Sequence, residues 1–149
     1  MFQHLLVPTD GSSLSRSTAI EAVRFAKAAG AKITGFHAMP ELRHMTQHPG
    51  LPTDTRANFE RQARAEANAA LDFVKEAAQA QGVVCDTVMV ASDQPHEAIL
   101  RAARDRDCDL IVMASHGRRG IEAMLIGSET QKVLTHSKIP VLVWRSNRG

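Results

Sequence analysis

Apolar and polar positions along the chain repeat with two alternating periods. Short apolar runs bounded by turn residues predict five strands, at residues 3–9, 31–39, 83–91, 108–115 and 139–144. Segments with apolar positions at helical spacing predict four helices between them, at residues 10–30, 53–82, 92–107 and 127–137. Strands that alternate with helices predict an α/β fold, a parallel sheet with helices on both faces in a Rossmann-like three-layer sandwich.

Polar residues and glycines mark the ends of these helices. Ser12 or Ser13 can cap the start of the first helix, and Gly30 suits its end. Thr53 or Asp54 can cap the second. The apolar stripe of the second helix comprises Phe59, Ala63, Ala67, Ala70, Leu71, Val74 and Ala78.

The order of the strands predicts which end of the sheet binds a ligand. Right-handed crossovers carry the first three strands outward in one direction, and the fourth then returns beside the first, which predicts the order 3-2-1-4-5. Ligands of such sheets bind beyond the carboxyl ends of the strands where the order reverses. That position holds Pro8, Thr9 and Asp10 after strand one and the chain from Ala114 after strand four.

The segment VMASHGRRGIEAMLIGSE, residues 112–129, is rich in glycine, serine and arginine. Gly117 and Gly127 would let backbone N–H groups approach an anion, and Gly127 and Ser128 stand directly before a predicted helix, whose first N–H groups favour negative charge. Ser128 can cap that helix or donate to a phosphate oxygen, and Arg118 can add charge. The pattern alone leaves two interpretations open, a phosphate site or an ordinary glycine-rich turn.

Length and composition exclude several classes of protein. A chain of 149 residues with 44% hydrophobic residues fits one globular domain, spanning residues 1–149. A formal net charge of +2, with no cluster of Lys and Arg, argues against nucleic-acid binding. There is no signal-peptide pattern and no apolar run of about 20 residues, so we expect a cytoplasmic protein without a membrane segment. Cys85 and Cys108 lie in apolar stretches and are interpreted as buried hydrophobic residues.

Some histidines and aspartates could suggest other chemistry. His116 lies inside the glycine segment and could contact phosphate or transfer a proton, although a lone loop histidine is more often structural. His44 and His48 lie in a proline-containing loop near His37, without the further ligands that a metal site needs. The alternating aspartates before strand four lack the glycine and glutamate of a calcium loop. We therefore predict no metal site formed by the protein alone.

The motifs VPTDGS, DLIVMASHG, GS and IPVLVW, in this order and spacing, resemble the universal stress protein family. The resemblance covers the chain from Leu5 to Trp144 and implies the five-stranded sheet and a dimer. The ATP-binding branch of that family carries Gly-x-x-Gly, nine residues, then Gly-Ser/Thr. The corresponding residues here are Ala114, Gly117, Gly127 and Ser128, so the chain departs from the pattern at Ala114, whose methyl group would lie where the family places the ribose.

The resemblance also implies a role for each site residue. Asp10 would contact the ribose hydroxyls, as a carboxylate does in dinucleotide folds, although it could equally cap the first helix. Pro8 and Thr9 would line the base pocket, and the backbone of Ala38 would meet the adenine edge. The phosphates would bind at Gly117, Gly127, Ser128 and the N–H of Glu129.

The expected function is adenine-nucleotide binding, with ATP as the first candidate, by a sensor or switch. A divalent ion such as Mg²⁺ would offset the charge of the phosphates. Fast phosphoryl transfer is not expected, because no Walker lysine or arginine finger is present. Two alternatives remain open, a dimeric interaction module without nucleotide and a slow ATPase or phosphotransferase that uses His116. The resemblance implies a homodimer through the last strand, from Ile139 to Trp144.

Overall fold

A computed structural model describes residues 1–41, 53–117 and 126–145, with side chains in the second range described from residue 55. Several sequence-based interpretations lie outside these residues. They concern the side chains of Thr53 and Asp54 as caps, the loop histidines His44 and His48, and Arg118 of the glycine segment.

The described residues form a five-stranded parallel sheet with the predicted order β3-β2-β1-β4-β5. The strands are β1 (His4–Pro8), β2 (Lys32–Met39), β3 (Cys85–Ala91), β4 (Leu110–Ala114) and β5 (Val141–Trp144). The helices within the described residues are α1 (Ser13–Ala29), α2 (Thr53–Ala80), α3 (Pro95–Asp105) and α4 (Ser128–His136). The α/β fold class and the position of the strand reversal between β1 and β4 are therefore confirmed.

The strands are shorter than predicted where a turn uses the backbone. Val83 was expected to begin β3, but its N–H donates to the Ala78 carbonyl at 2.9 Å and so closes the end of α2. Ile139 was expected to begin β5, but its N–H donates to the Ser137 hydroxyl at 3.2 Å within a turn. Apolar character continues through both positions, so the pattern alone extends each strand too far.

Helices cover both faces of the sheet, as the three-layer prediction required. One core joins α1 and α2 to the side chains of Leu5, Val7 and Ile33 on the first face. The other joins α3 and α4 to Leu6 and Ile111 on the second face. Because consecutive residues of a strand point to opposite faces, nearly every residue of β1 and β4 is buried.

The apolar stripe of α2 is most deeply buried in the second half of the helix. Ala67, Leu71, Val74 and Ala78 are buried, whereas Phe59 is 36% exposed. Phe59 and Ala63 lie beside Met39 and Ala91 at the ends of β2 and β3. No helix in the described part of the chain combines the length and the apolar character that crossing a membrane would need.

Both cysteines are free thiols. Cys108 is buried, which agrees with the prediction, and burial raises the pKa of its thiol to about 11. Cys85 is only half-buried, because it lies on the edge strand β3, and burial also raises the pKa of its thiol. Neither thiol is set up as a nucleophile, since reactive cysteines have lowered pKa values.

Candidate functional site

The candidate site is the gap between the carboxyl ends of β1 and β4. These strands are neighbours, with Leu5 opposite Leu110, yet their continuations diverge, since α1 lies on one face of the sheet and α4 on the other. The fold brings the turn after β1, including Thr9 and Asp10, close to the chain that follows Ala114. The crevice is therefore where the strand order predicts a ligand.

Thr9 is held in place by backbone and side-chain bonds. Its N–H donates to the Phe36 carbonyl at 2.8 Å, and its carbonyl accepts from Nδ1 of His37 at 2.8 Å. Its hydroxyl accepts from the N–H of Gly11 at 3.2 Å. Thr9 is buried and Pro8, which ends β1, is half-buried, so these residues form a rigid floor at this end of the crevice.

Asp10 is oriented by two donors from the first turn of α1. Its Oδ1 accepts from the Ser12 N–H at 2.9 Å and from the Ser15 hydroxyl at 2.8 Å. The N-cap of α1 is Ser12, whose side chain accepts from the Ser15 N–H at 3.2 Å. The interpretation of Asp10 as the N-cap is therefore wrong, because its carboxylate lies two residues before the cap and bonds to the cap residue instead.

Gly117 faces Asp10 across the crevice. A Cβ atom at Gly117 would lie 2.6 Å from Oδ2 of Asp10, so close that the carboxylate would have to move. Gly117 itself is exposed. The glycine therefore leaves room for the carboxylate of Asp10 between the two strand ends.

Gly127 joins the start of α4 to the end of β4. Its N–H donates to the Ser115 carbonyl at 2.6 Å, and an added Cβ would lie 3.2 Å from that oxygen and 3.4 Å from Cα of His116. The hydroxyl of Thr130 donates to the Ala114 carbonyl at 2.9 Å. The two strand-end carbonyls thus fix where α4 begins.

The first turn of α4 points its backbone donors toward the crevice. The N-cap is Gly127, which provides no side-chain cap, and Ser128 is the first helical residue, so the suggestion that Ser128 caps the helix is wrong. The Gly127 carbonyl accepts the first helical bond, from the Gln131 N–H at 3.0 Å. The N–H groups of the three preceding residues have no acceptor within the helix, and such groups attract anions.

The carboxylate of Glu129 is directed away from the crevice. Its Oε2 accepts from the N–H and from Nδ1 of His96, at 2.9 and 3.0 Å, and its Oε1 accepts from Lys132 at 3.3 Å. Burial raises the pKa of the Glu129 carboxyl, but the hydrogen bonds from His96 and Lys132 outweigh it and lower the pKa. Only the backbone N–H of Glu129 is therefore offered to an anion, as predicted from its charge.

His116 lies against the start of α4. Its Nδ1 is 3.1 Å from the Ser115 hydroxyl. Its Nε2 is buried and has no hydrogen-bond partner among the residues that the structure describes. Among the described side-chain atoms of the crevice, this nitrogen is the buried one without a hydrogen bond.

Ala114 and Ala38 lie at strand ends on either side of β1. Ala114 ends β4 and is 6% exposed, so its methyl group is packed within the protein. Ala38 lies one residue before the end of β2, opposite Val90, and packs against the core on the second face. Ala38 is thus separated from β4 by the width of β1, and its backbone lies at the same end of the sheet as Asp10.

Some residues of the site were not found from the sequence. Ser15, His96 and Thr130 each hold a strand end or a site carboxylate through a side-chain bond. Ser15 lies five residues after Asp10 within a serine-rich turn, which is a weak signal, and His96 had none. Across the described ranges, no three histidine, cysteine or carboxylate side chains come together as a metal site.

The chain is similar to known proteins over its whole length. The family model described as the universal stress protein family matches residues 1–145. The universal stress protein YxiE of Bacillus subtilis is 31% identical over 149 residues, which cover 97% of this chain and 100% of that protein. The structure of the hypothetical protein MJ0577 superposes with a TM-score of 0.83 at 24% identity, covering 100% and 99% of the two chains.

A third comparison includes a ligand. The crystal structure of a universal stress protein in complex with cAMP superposes with a TM-score of 0.69 at 26% identity and covers 97% of each chain. The sheet of this chain has the strand order described above, which reverses between β1 and β4. The fold, the family match over residues 1–145 and the sequence relatives agree. The chain therefore belongs to the universal stress protein family.

Proposed function

We propose that the protein binds an adenine nucleotide, with ATP as the first candidate, in the crevice between β1 and β4. The observation that carries the proposal is the pairing of opposite chemistries across this gap. The carboxylate of Asp10 lies on one side, and the first N–H groups of α4, which have no acceptor within the helix, lie on the other. The hydroxyl donors of a ribose match the carboxylate, and the negative oxygens of a phosphate chain match the N–H groups.

The base would lie beyond β1 and β2, near Pro8, Thr9 and Ala38. Thr9 is buried and its backbone is fixed by Phe36 and His37, so this side of the crevice is preformed. The backbone of Ala38, one residue before the end of β2, would meet the adenine edge. That a family member binds cAMP supports an adenine ring and a sugar phosphate as the ligand class.

The phosphates would bind at Gly117 and Ser128 and at the N–H of Glu129, with Gly127, whose own N–H donates to the Ser115 carbonyl, leaving room for their approach. The hydroxyl of Ser128 lies at the first position of α4 and is exposed. Arg118 would add positive charge from the glycine segment. Since the protein offers no cluster of metal ligands in its described part, Mg²⁺ would arrive with the nucleotide and be held by phosphate oxygens.

Isothermal titration with ATP and Mg²⁺ tests the site. We expect saturable binding of one nucleotide per chain and a rise in melting temperature, since a ligand of the folded state stabilises it. Ser128→Ala should weaken binding of ATP more than of adenosine. Thr135→Ala is the matched control, because it removes an exposed hydroxyl near the opposite end of α4. Absence of heat and of any thermal shift would instead favour the interaction module without nucleotide.

Slow hydrolysis is a second candidate, favoured by the buried Nε2 of His116 beside the start of α4. The imidazole would there orient a water molecule toward the terminal phosphate. Phosphate release from saturating ATP by the wild type and by His116→Ala separates the two functions. Equal rates would remove the enzymatic role and leave a sensor or switch that binds without turnover.

We also propose a homodimer formed through β5. This strand pairs only with β4 among the described strands. Trp144, its last residue, is 36% exposed, and Leu134 on the neighbouring helix α4 is 41% exposed. An open apolar edge favours pairing with a second copy. The two free thiols support a reducing compartment, and we expect the cytoplasm.

A further inference from the structure

The serine at position 15 lies in the first turn of α1, beneath the carboxylate of Asp10. Ser15 is 4% exposed, so its hydroxyl must find partners inside the protein. It donates to Oδ1 of Asp10 at 2.8 Å and accepts from the hydroxyl of Ser12 at 3.1 Å. The direction of each bond is set, since a carboxylate oxygen can only accept.

The bonds around Ser15 form a short relay that ends on Asp10. The Ser12 hydroxyl accepts from the Ser15 N–H and donates to the Ser15 hydroxyl, which in turn donates to Asp10. Each donor in such a relay strengthens the next one, and the bond to the charged carboxylate is the strongest. Oδ1 of Asp10 also accepts from the Ser12 N–H, so this oxygen is held from two directions.

Fixing one carboxylate oxygen also fixes the other. With Oδ1 turned toward α1, Oδ2 is directed across the crevice to Gly117, where an added Cβ would lie only 2.6 Å away. A ribose bound between β1 and β4 would meet Oδ2, whereas Oδ1 faces the helix. The orientation of this single carboxylate therefore governs the sugar contact.

We infer that Ser15 is a positioning residue that sets the preference of the site for a nucleotide with ribose hydroxyls. It acts only through Asp10 and contacts no part of the ligand. The inference rests on the proposed nucleotide site and adds to it a determinant of sugar specificity. A carboxylate aligned by Ser15 can accept the sugar hydroxyls, and the loss of the Ser15 donor would leave Oδ1 with a weaker hold on that geometry.

Titration with ATP and with 2′,3′-dideoxy-ATP, each with Mg²⁺, tests the inference. The wild type should bind ATP at least about tenfold more tightly than the dideoxy compound, as expected for hydrogen bonds to a charged group. In Ser15→Ala the affinity for ATP should fall about tenfold while the affinity for the dideoxy compound stays within about twofold. The ratio of the two affinities should therefore collapse, which a general loss of stability would not produce.

Ser17→Ala is the matched control, because its hydroxyl lies on the exposed face of α1 and bonds only to the Ser13 carbonyl among the residues described. It should leave both affinities unchanged. Ser15→Cys keeps the volume with a weaker donor and should give an intermediate ratio, which covers the case that the alanine variant does not fold.

The outcomes separate the two proposals. A wild type that binds neither nucleotide refutes the nucleotide site, and with it the role of Ser15. A wild type that prefers ATP, together with a Ser15→Ala variant that keeps the full preference, refutes the positioning role and leaves the nucleotide site standing. A wild type that binds both compounds equally refutes the sugar contact of Asp10 itself and so overturns the inference.

Discussion

Gly117 and Asp10 are far apart in the chain and meet across the gap between β1 and β4. The family motif identifies this glycine as a place where backbone approaches phosphate, and that role stays a prediction. The structure adds a different reason for the same residue, since any side chain here would collide with Oδ2 of Asp10. A pattern of glycines cannot reveal that reason, because the neighbour comes from another strand.

Gly117→Ala should therefore destabilise the protein only while Asp10 is present. The methyl group would push the carboxylate out of its bonds to Ser12 and Ser15, at a cost of about 1 kcal/mol in the free energy of unfolding. In an Asp10→Ala background the same change should cost nothing. Urea unfolding of the four proteins of this double-mutant cycle measures the difference. Equal destabilisation in both backgrounds would contradict the contact.

Among the elements, α3 and α4 are joined by a charged contact at the rim of the crevice. Glu129, in the first turn of α4, accepts from the N–H and ring of His96 in the first turn of α3. The contact keeps a negative charge away from the proposed phosphates. Sequence analysis anticipated the repulsion but had no means of finding the partner, which lies on a separate helix.

Glu129→Gln should lower the free energy of unfolding near neutral pH and change how that free energy falls at acidic pH. The pKa of Glu129 is lowered on folding, so its stabilisation is present above the usual glutamate value of 4.5 and is lost as the pH falls through the folded pKa. Because the carboxylate is partly exposed, we expect a deficit of about 0.5 kcal/mol at pH 7. Urea unfolding between pH 7 and pH 3 should show this deficit vanish.

The control for that experiment is Glu97→Gln, which removes an exposed carboxyl of α3, the helix that carries His96. Its effect on the free energy of unfolding should be small throughout. If the Glu129→Gln variant instead kept a constant deficit down to pH 3, the lowered pKa would not be the source of the effect.

The outer edge of β5 is the other element-scale feature. Bonds from Ile111 to the Pro140 carbonyl and from Ser115 to the Trp144 carbonyl show that alternate residues of β5 face β4. In a parallel ladder the backbone of Val143 then faces outward. Val143→Pro would remove an outward donor without breaking the pairing to β4.

We expect Val143→Pro to be a monomer and Val143→Thr, which keeps the N–H and a β-branched side chain, to remain a dimer. Light scattering coupled to gel filtration at micromolar concentration measures both masses. A monomeric wild type, or a Val143→Pro variant that stays dimeric, would contradict pairing through β5.

At the scale of the whole molecule, a polar network that is buried at His4 and Thr34 and exposed at Asp86 joins three strands at the end of the sheet opposite the crevice. Nε2 of His4 in β1 lies 2.7 Å from the Thr34 hydroxyl in β2, which donates at 2.7 Å to Asp86 in β3. Asp86 also accepts from Arg106, which follows α3, at 3.0 Å. This network thus joins the strands at one end of the sheet, and the crevice lies at the other end.

Stability should fall on mild acidification because of His4. Burial lowers the pKa of this imidazole, as does the nearby Lys32, against the opposing effects of Asp86 and Asp109. As the pH falls, His4 is therefore protonated in the unfolded chain before it is protonated in the folded protein. Its contribution to the free energy of unfolding is complete above pH 6.5 and is lost as the pH falls toward the folded pKa. Urea unfolding from pH 7.5 to pH 5.5 should show this loss.

His4→Gln should remove that slope, because an amide keeps a donor near Thr34 and does not titrate. We expect it to cost about 1 kcal/mol at pH 7.5. His136→Gln, at an exposed position on α4, is the control and should leave the slope unchanged. A variant at His4 with the wild-type slope would assign the pH dependence to other groups.

The sequence by itself determined the element order, the strand order and the end of the sheet where a ligand would bind. Hydrophobic period and helix caps are local, and Ser12 and Gly30 act at the ends of α1 as the pattern required. It did not limit the buried part of the α2 stripe, where Phe59 is 36% exposed and Ala67 is buried. Apolar spacing shows which face of a helix could be buried, and only packing shows how much of it is.

Only the tertiary structure decided which partner each polar group of the crevice takes. Asp10 bonds to Ser15 and faces Gly117, Gly127 bonds to Ser115, and Glu129 turns to His96. Sequence reasoning placed several of these residues at the crevice but assigned caps to Asp10 and Ser128 that other residues provide. Hydrogen bonds act over about 3 Å, and which strand ends come within that distance is settled when the sheet assembles.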